Sequence, residues 1–212
     1  MSDLNNEYKY KGVDYLDYFL DQCTTKEYRR HAVIVRQGEP TSKLYFLLKG
    51  SVSVVREHED NKDIVLAYLN QGSFFGEMGL FDDTNERSAT IRTRTVCTIA
   101  EIGYDKFQEL AKEKPDILMA ISHQLTARLR KTSKKVTDLA FLDVTGRVAA
   151  CLLELVAQPD AITHPDGIML KITRQELSRH VGCTREMVGK VLKSLEEQGL
   201  VAFEGHSIVV IQ

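Results

Sequence analysis

The sequence predicts an α+β protein: an antiparallel β sandwich or barrel, then a long helix, then a small helix-turn-helix domain with a β hairpin. Three observations carry that expectation. Short apolar or alternating runs broken by turn residues occupy Ala32 to about Ile102, a seven-residue repeat begins after Pro115, and two cap-and-turn signals stand close together near the C-terminus.

In the β half the runs are "AVIVRQGEP", "KLYFLLKGSVSVV", "DIVLAYLNQGSFFG" and "SATIRTRTVCTIAEI". Gly38, Gly50, Gly72 and the "HEDNKD" cluster at 58–63 fall where the chain must reverse. From Phe107 the period changes. After Pro115, Leu118, Leu125, Thr132 and Leu139 recur every seven residues, and Ser122, Leu129 and Val136 form a second column four positions along. Two such columns make the seam of a parallel coiled coil of about three heptads, which predicts a homodimer. The alternative is a helix packed on its own domain, with Arg128, Arg130, Lys131, Lys134 and Lys135 as a solvated face.

An apolar helix is expected around 142–157, followed by a Pro, Gly and Asp-rich loop, "QPDAITHPDG", at 158–167 that separates two helical segments. The expected domains are therefore 1–113, a helical connector at 114–140 and 141–212.

A chain of 212 residues with 43% hydrophobic content can bury a core. Runs such as "AVIV" and "LYFLL" are too short for a bilayer, and the N-terminal stretch is polar and acidic, so a cytoplasmic protein without membrane contact is expected. Cys23, Cys97, Cys151 and Cys183 form no C-x-x-C pair and accompany no histidine cluster, which argues against a disulfide framework and against a metal. The net charge of -2 speaks weakly against nucleic acid, but its distribution does not. Residues 171–195 hold Lys171, Arg174, Arg179, Arg185, Lys190 and Lys193 against Glu176 and Glu186, a balance of 6 - 2 = +4.

Thr173 and Glu176 form a capping-box pattern opening a helix through about His180, Gly182 lies in the turn, and Thr184 caps a second helix that ends before Gly199. Leu177, Val181, Val188, Val191, Leu192 and Leu195 supply the apolar faces that join the two helices. Arg185 and Glu186 stand in the first turn of the second helix, with Lys190 and Lys193 further along. Arginine donates a bidentate pair to guanine and glutamate accepts from cytosine N4, so this face suits double-stranded DNA. "VAFEGHSIVV" reads as a hairpin packed beside it as a wing.

The segment "GSFFGEMGLFDDTNERSATIRT", 72–93, sets Glu77 just after a glycine and places Arg87 and Ser88 ten positions on. Arginine beside serine suits a phosphate, whereas a carboxylate repels one. An ordinary Glu to Arg salt bridge across a hairpin is the simpler reading.

Together "LYFLLKGSV", "FFGEMGLF", "ERSATIR", "AFLDVTGRVA", "QPDAITHPDG", "ITRQEL" and "GCTREMVGKVLKSLEEQGLV" resemble the cyclic AMP receptor protein family, also called catabolite activator proteins, and "TREMVGKVLKSLEEQGLV" is especially similar to the virulence factor regulator branch. The resemblance runs from about residue 13 to 210. It implies an N-terminal cyclic-nucleotide jelly roll, a long dimerisation helix and a winged helix-turn-helix. The implied function is cyclic AMP-dependent transcription regulation, mostly activation through RNA polymerase, with cyclic AMP as allosteric effector and no enzymatic activity.

By motif match, Gly76, Glu77, Arg87 and Ser88 hold the sugar and cyclic phosphate, and Thr132 and Ser133 meet adenine. The residue types fit: Arg87 neutralises one negative charge, Ser88 hydrogen-bonds it, the chain near Gly76 can approach closely, and Glu77 accepts from the free ribose 2′-hydroxyl. Arg185, Glu186 and Lys193 read base edges, Arg174 lies nearer the backbone, and Thr184 and Lys190 complete the DNA-facing set. A dimer presents two such helices to successive major grooves of a roughly palindromic site. Thr163, His164 and Gly167 are expected as the exposed part of a polymerase-contacting loop, for which an ordinary linker turn is the alternative. Lys106 matches a second polymerase surface, although Thr24 and Lys26 stand where histidines are usual, and Lys190 stands for the usual arginine.

The seam and the ligand meet at Thr132, where leucine would pack better by about 1 kcal/mol or more. Adenine there is expected to compensate and to register the two helices. Three rival readings are weaker. A metal-dependent enzyme on a jelly roll needs clustered histidines, and the β half has only His31 and His58. An iron–sulfur sensor needs several N-terminal cysteines. A cyclic-nucleotide module without DNA does not account for the helix-turn-helix, and cyclic GMP remains open as the ligand.

Overall fold

The computed structural model describes residues 15–58, 63–82, 86–205 and 207–211, so most of the "HEDNKD" turn lies outside the described residues. The chain divides into two compact units, with the boundary inside a long helix between Lys131 and Thr132.

The first unit contains helix α1 (Tyr15–Asp21), strands β1 (Thr24–Tyr28), β2 (Val33–Val35), β3 (Lys43–Lys49), β4 (Ser51–Arg56), β5 (Ile64–Asn70), β6 (Phe74–Phe75), β7 (Thr90–Thr93) and β8 (Cys97–Gly103), then α2 (Tyr104–Glu113) and the start of α3 (Asp116–Phe141). Two four-stranded sheets run in the orders β1-β8-β3-β6 and β2-β7-β4-β5. The β region thus begins at Thr24 rather than Ala32. Its first strand is a solvent-exposed edge with no apolar alternation, and this hid it.

The run "LYFLL" has a direct cause in this architecture. Tyr45, Leu47, Phe75, Cys97 and Ile99 face the second sheet, joining Val35, Val52, Leu69 and Ile91. Their neighbours Leu44, Phe46, Phe74, Ala100 and Ile102 face the other way, onto Phe19 of α1, Phe107 and Leu110 of α2 and Ile117 and Ile121 of α3. A sheet buried on both faces must be apolar at successive positions. The helical side is knitted by edge-on aromatic contacts, Phe19 lying 5.3 Å from Phe74 and 6.4 Å from Phe107.

The second unit contains the rest of α3, then α4 (Val144–Val156), β9 (Ile162–His164), β10 (Gly167–Leu170), α5 (Arg174–Val181), α6 (Arg185–Glu197), β11 (Val201–Glu204) and β12 (Ser207–Ile211). Its strands form one antiparallel sheet in the order β11-β12-β10-β9. The expected loop at 158–167 is therefore partly strand, because Ile162–His164 pairs with β10, which in turn pairs with β12. A three-residue strand is too short to show a period.

Cys23, Cys97, Cys151 and Cys183 are free thiols. Burial pushes Cys23 up to about 12 and raises Cys151 and Cys183 as well, so these three are poor nucleophiles. Among the described residues no helix is long and apolar enough to cross a membrane, and no group of three or more His, Cys, Asp or Glu can hold a metal ion.

Glu101 in β8 is a buried carboxylate, its side chain 7% exposed between Lys26 and Lys43. Burial alone pushes its carboxyl upward, but the hydrogen bonds and charges of the two lysines prevail and lower it. A lowered folded value stabilises the fold above the unfolded carboxyl value near ~4.3 and loses that contribution as pH falls through the folded value. Glu101→Gln should lower the urea midpoint at pH 7, and the gap from wild type should close below about pH 4. An unchanged gap at pH 3 would sink the assignment.

Candidate functional site: an anion cradle and a nucleic-acid interface

The cradle lies in the first unit, where β6 ends and a 3₁₀ turn (Met78–Leu80) begins. Gly76 carries φ +79, and a Cβ there would stand 2.8 Å from Arg87 Nη1 and 3.0 Å from the Lys43 carbonyl oxygen. Only glycine allows both the left-handed backbone and this approach.

Arg87 is drawn inside, 8% exposed. It donates to the Lys43 carbonyl at 3.0 Å, the Gly76 carbonyl at 3.4 Å and the Tyr104 hydroxyl at 3.2 Å. Its guanidinium also lies 5.5 Å from the Tyr45 ring centre and 6.0 Å from that of Tyr104. Tyr45 is itself stacked on Phe75 at 5.0 Å, and burial raises its phenol, keeping it a neutral surface. Among the described residues, therefore, Arg87 meets neutral oxygens and rings but no carboxylate.

The simple Glu77 to Arg87 salt bridge is not formed. Glu77, 6% exposed, pairs instead with Arg128 of α3 at 2.9 Å through Oε1, and among the described residues Oε2 receives no donor. Arg128 also donates to the Phe74 carbonyl and, at 3.3 Å, to Gln124. Gln124 in turn donates to the Gly72 carbonyl and accepts from the Phe74 amide, both at 2.9 Å. Arg128 is thus a member of the site and not part of a solvated face. Its charge run "TARLRKTSKK" concealed this, although it sits four residues after Gln124 on the same helical face.

Ser88 is exposed beside the cradle, and its hydroxyl donates to Met78 Sδ at 3.2 Å. Thr132 and Ser133 lie just past Arg128 on α3 and are exposed. The coiled-coil columns divide. Leu118 and Leu125 are half-buried against the helical side of the first core, which Ile117 and Ile121 enter completely. Leu129, Val136 and Leu139 are exposed at 67%, 61% and 51%, as are the polar Ser122 and Thr132. The first part of the seam is spent on its own domain and the later part is uncovered.

In the second unit the helix-turn-helix forms as its caps dictate. Thr173 and Glu176 make a reciprocal capping box, Gly182 takes φ 73 at the end of α5, and the Thr184 side chain accepts from the Met187 amide. Leu177, Val181, Val188, Val191, Leu192 and Leu195 are all buried. That leaves Arg174, Thr184, Arg185, Glu186, Lys190 and Lys193 exposed. Glu186, Lys190 and Lys193, at i, i+4 and i+7, share one stripe of α6. Arg174 and Arg185 line one 530 Å³ cleft with Thr173, Gln175, Phe203 and Gly205. Phe203 of the wing lies 5.7 Å beneath the Arg174 guanidinium, a partner that sequence spacing did not reveal.

The predicted polymerase-facing residues are less uniform. Thr163 is exposed, but the His164 side chain is only 14% exposed. Its Nε2 stands 3.1 Å from Glu204, and its Nδ1 accepts from the Asp166 amide at 3.2 Å, so the hairpin holds it in. Gly167 opens β10 and is half-buried. Lys106 donates to the Gln22 carbonyl at 2.9 Å.

Residues 25–114 match the cyclic nucleotide-binding domain family, and residues 146–212 match the Crp-like helix-turn-helix domain family. Over 195 residues the chain is 52% identical to the cAMP-activated global transcriptional regulator CRP of Salmonella typhimurium, covering 92% of this chain and 93% of that protein. It is also 52% identical over 201 residues to the cAMP-activated global transcriptional regulator Vfr of Pseudomonas aeruginosa, covering 93% and 94%. A solved structure of the c-di-GMP responsive global regulator CLP of Xanthomonas campestris superposes with a TM-score of 0.88 at 41% identity, covering 93% of this chain and 98% of that one. With both domains matched in order and 52% identity along 92% of its length, the chain belongs to the CRP family of transcriptional regulators.

Proposed function

We propose that this chain is a cyclic AMP-dependent, sequence-specific DNA-binding transcription regulator, acting in the cytoplasm as a homodimer and mostly as an activator through RNA polymerase. One observation carries the ligand half of the reading. Arg87 is buried on neutral oxygens beside a glycine that leaves no room for Cβ, with a carboxylate held close by for a separate purpose.

A cyclic nucleotide fits these residues. Arg87 and Ser88, with the backbone at Gly76, would hold the cyclic phosphate, and Glu77 would accept from the ribose hydroxyl through the oxygen that Arg128 leaves open. Thr132 and Ser133 are assigned to the base. Arg128 and Gln124 fasten α3 to the 72–77 loop, so a ligand that shifts Glu77 acts directly on the helix that carries the seam. Leu129, Val136 and Leu139 are offered to a second copy, with Ser122 and Thr132 as the polar levels.

Arg185, Glu186 and Lys193 would read base edges, with Thr184 and Lys190 beside them and Arg174 on the phosphates. The match to relatives named cAMP-activated favours cyclic AMP over the cyclic di-GMP to which the regulator CLP responds. For polymerase, Thr163 with the Gly167 hairpin is proposed as the contact. His164 supports it from within, and Lys106 belongs to a second, weaker surface.

Calorimetric titration with cyclic AMP, cyclic GMP and cyclic di-GMP, followed by DNA shifts with each, tests the reading. Cyclic AMP should bind tightest and alone promote the shift; tight binding by none would overturn it. Thr132→Leu should let the protein bind DNA with a reduced cyclic AMP requirement, and an unchanged requirement would end the coupling proposal. Arg185→Ala should cost about 1–3 kcal/mol at the cognate site and relax discrimination at one base pair. Arg174→Ala should weaken all sequences alike and reduce the salt slope by about 0.9. Equal effects from both arginines in these measurements would refute the division of labour.

A further inference from the structure

Tyr104 is absent from the expected ligand contacts, yet its hydroxyl has three partners in and beside the cradle. It donates to the Gly76 carbonyl, takes the Thr41 hydroxyl and receives Arg87 Nη1 at 3.2 Å. A phenol has one hydrogen to give and two lone pairs to offer. Because a carbonyl only accepts, the single hydrogen goes to Gly76, so Thr41 and Arg87 must both donate. The hydroxyl is saturated by three neighbours, each from a different part of the chain.

Those neighbours are fixed in turn. The Tyr104 amide donates to the Ser42 carbonyl at 2.9 Å, and Lys43, one residue on, supplies the carbonyl that holds Arg87 Nη2 at 3.0 Å. Gly79 lies so close that a Cβ would come within 2.4 Å of Thr41 Cγ2 and 2.7 Å of the Tyr104 oxygen. Among the described residues, removing the hydroxyl leaves the Gly76 carbonyl and Arg87 Nη1 only each other, at 3.4 Å.

We propose that Tyr104 is a positioning residue for the phosphate end of the ligand site, setting the direction of the Arg87 guanidinium and the orientation of the Gly76 peptide through one saturated hydroxyl. It sets the phosphate end and not the ribose end, because Glu77 is held separately by Arg128. The proposal rests on the cyclic-nucleotide reading of this site.

Tyr104→Phe keeps the ring and deletes only the oxygen. Calorimetry on the full chain should show cyclic AMP affinity falling roughly tenfold, the scale of one lost hydrogen bond to a charged group. Discrimination between the two phosphorothioate diastereomers of cyclic AMP should shrink, while the preference for cyclic AMP over its 2′-deoxy analogue should stay as in wild type. In an Arg87→Ala background the same substitution should add little, since the two act as one unit. Thermal melting of each variant separates these effects from loss of fold. If wild type binds and Tyr104→Phe binds equally well, or loses phosphate and ribose discrimination alike, the positioning role is wrong and the nucleotide reading stands. If wild type binds no cyclic nucleotide at all, the reading itself fails.

Discussion

The cradle of the first unit is arranged around the burial of one positive charge, that of Arg87. An arginine removed from water without a carboxylate is costly unless every donor finds an oxygen. Here the Lys43 and Gly76 carbonyls and the Tyr104 hydroxyl supply those oxygens, with two aromatic faces alongside. These neutral oxygens accept from Nη1 and Nη2 but do not cancel the charge. The cradle therefore keeps an attraction for an anion, and the backbone around it is already committed to that geometry.

Glu77 would spoil such a site if it turned toward Arg87, since the two would simply neutralise each other. Arg128 prevents this by holding the carboxylate from the helix side. The same guanidinium takes the Phe74 carbonyl, and Gln124 takes both Gly72 and Phe74. Residues from two adjacent turns of α3 thus bond the 72–74 backbone, which also pairs with β3. These bonds join loop to helix beside the point where the first unit ends at Lys131. The proposed coupling between ligand and dimer would have a short physical path here, through Arg128 and Gln124 of α3.

In the second unit the division between apolar and polar is sharper. Leu177, Val188 and Leu192 are fully covered, and the outward faces carry the +4 balance of residues 171–195. A net charge of -2 for the whole chain conceals that local excess. Arg174 resting on Phe203 ties the first helix of the motif to the wing, so the cation presented there has a supported direction.

By itself the sequence determined whatever depends on neighbours along the chain. Caps at Thr173 and Thr184, the turn at Gly182, the apolar faces of α5 and α6 and the long period of α3 all follow from local spacing. Tertiary structure decided what depends on distant partners. It gave Arg128 to Glu77 and Tyr104 to Arg87, recruited Thr24–Tyr28 and Ile162–His164 as strands, turned Leu118 and Leu125 toward their own core, and drew His164 inward onto Glu204. The reason is the same in each case. These contacts join residues far apart in the chain or strands too short and polar to show a period, so no pattern within a window of sequence can carry them.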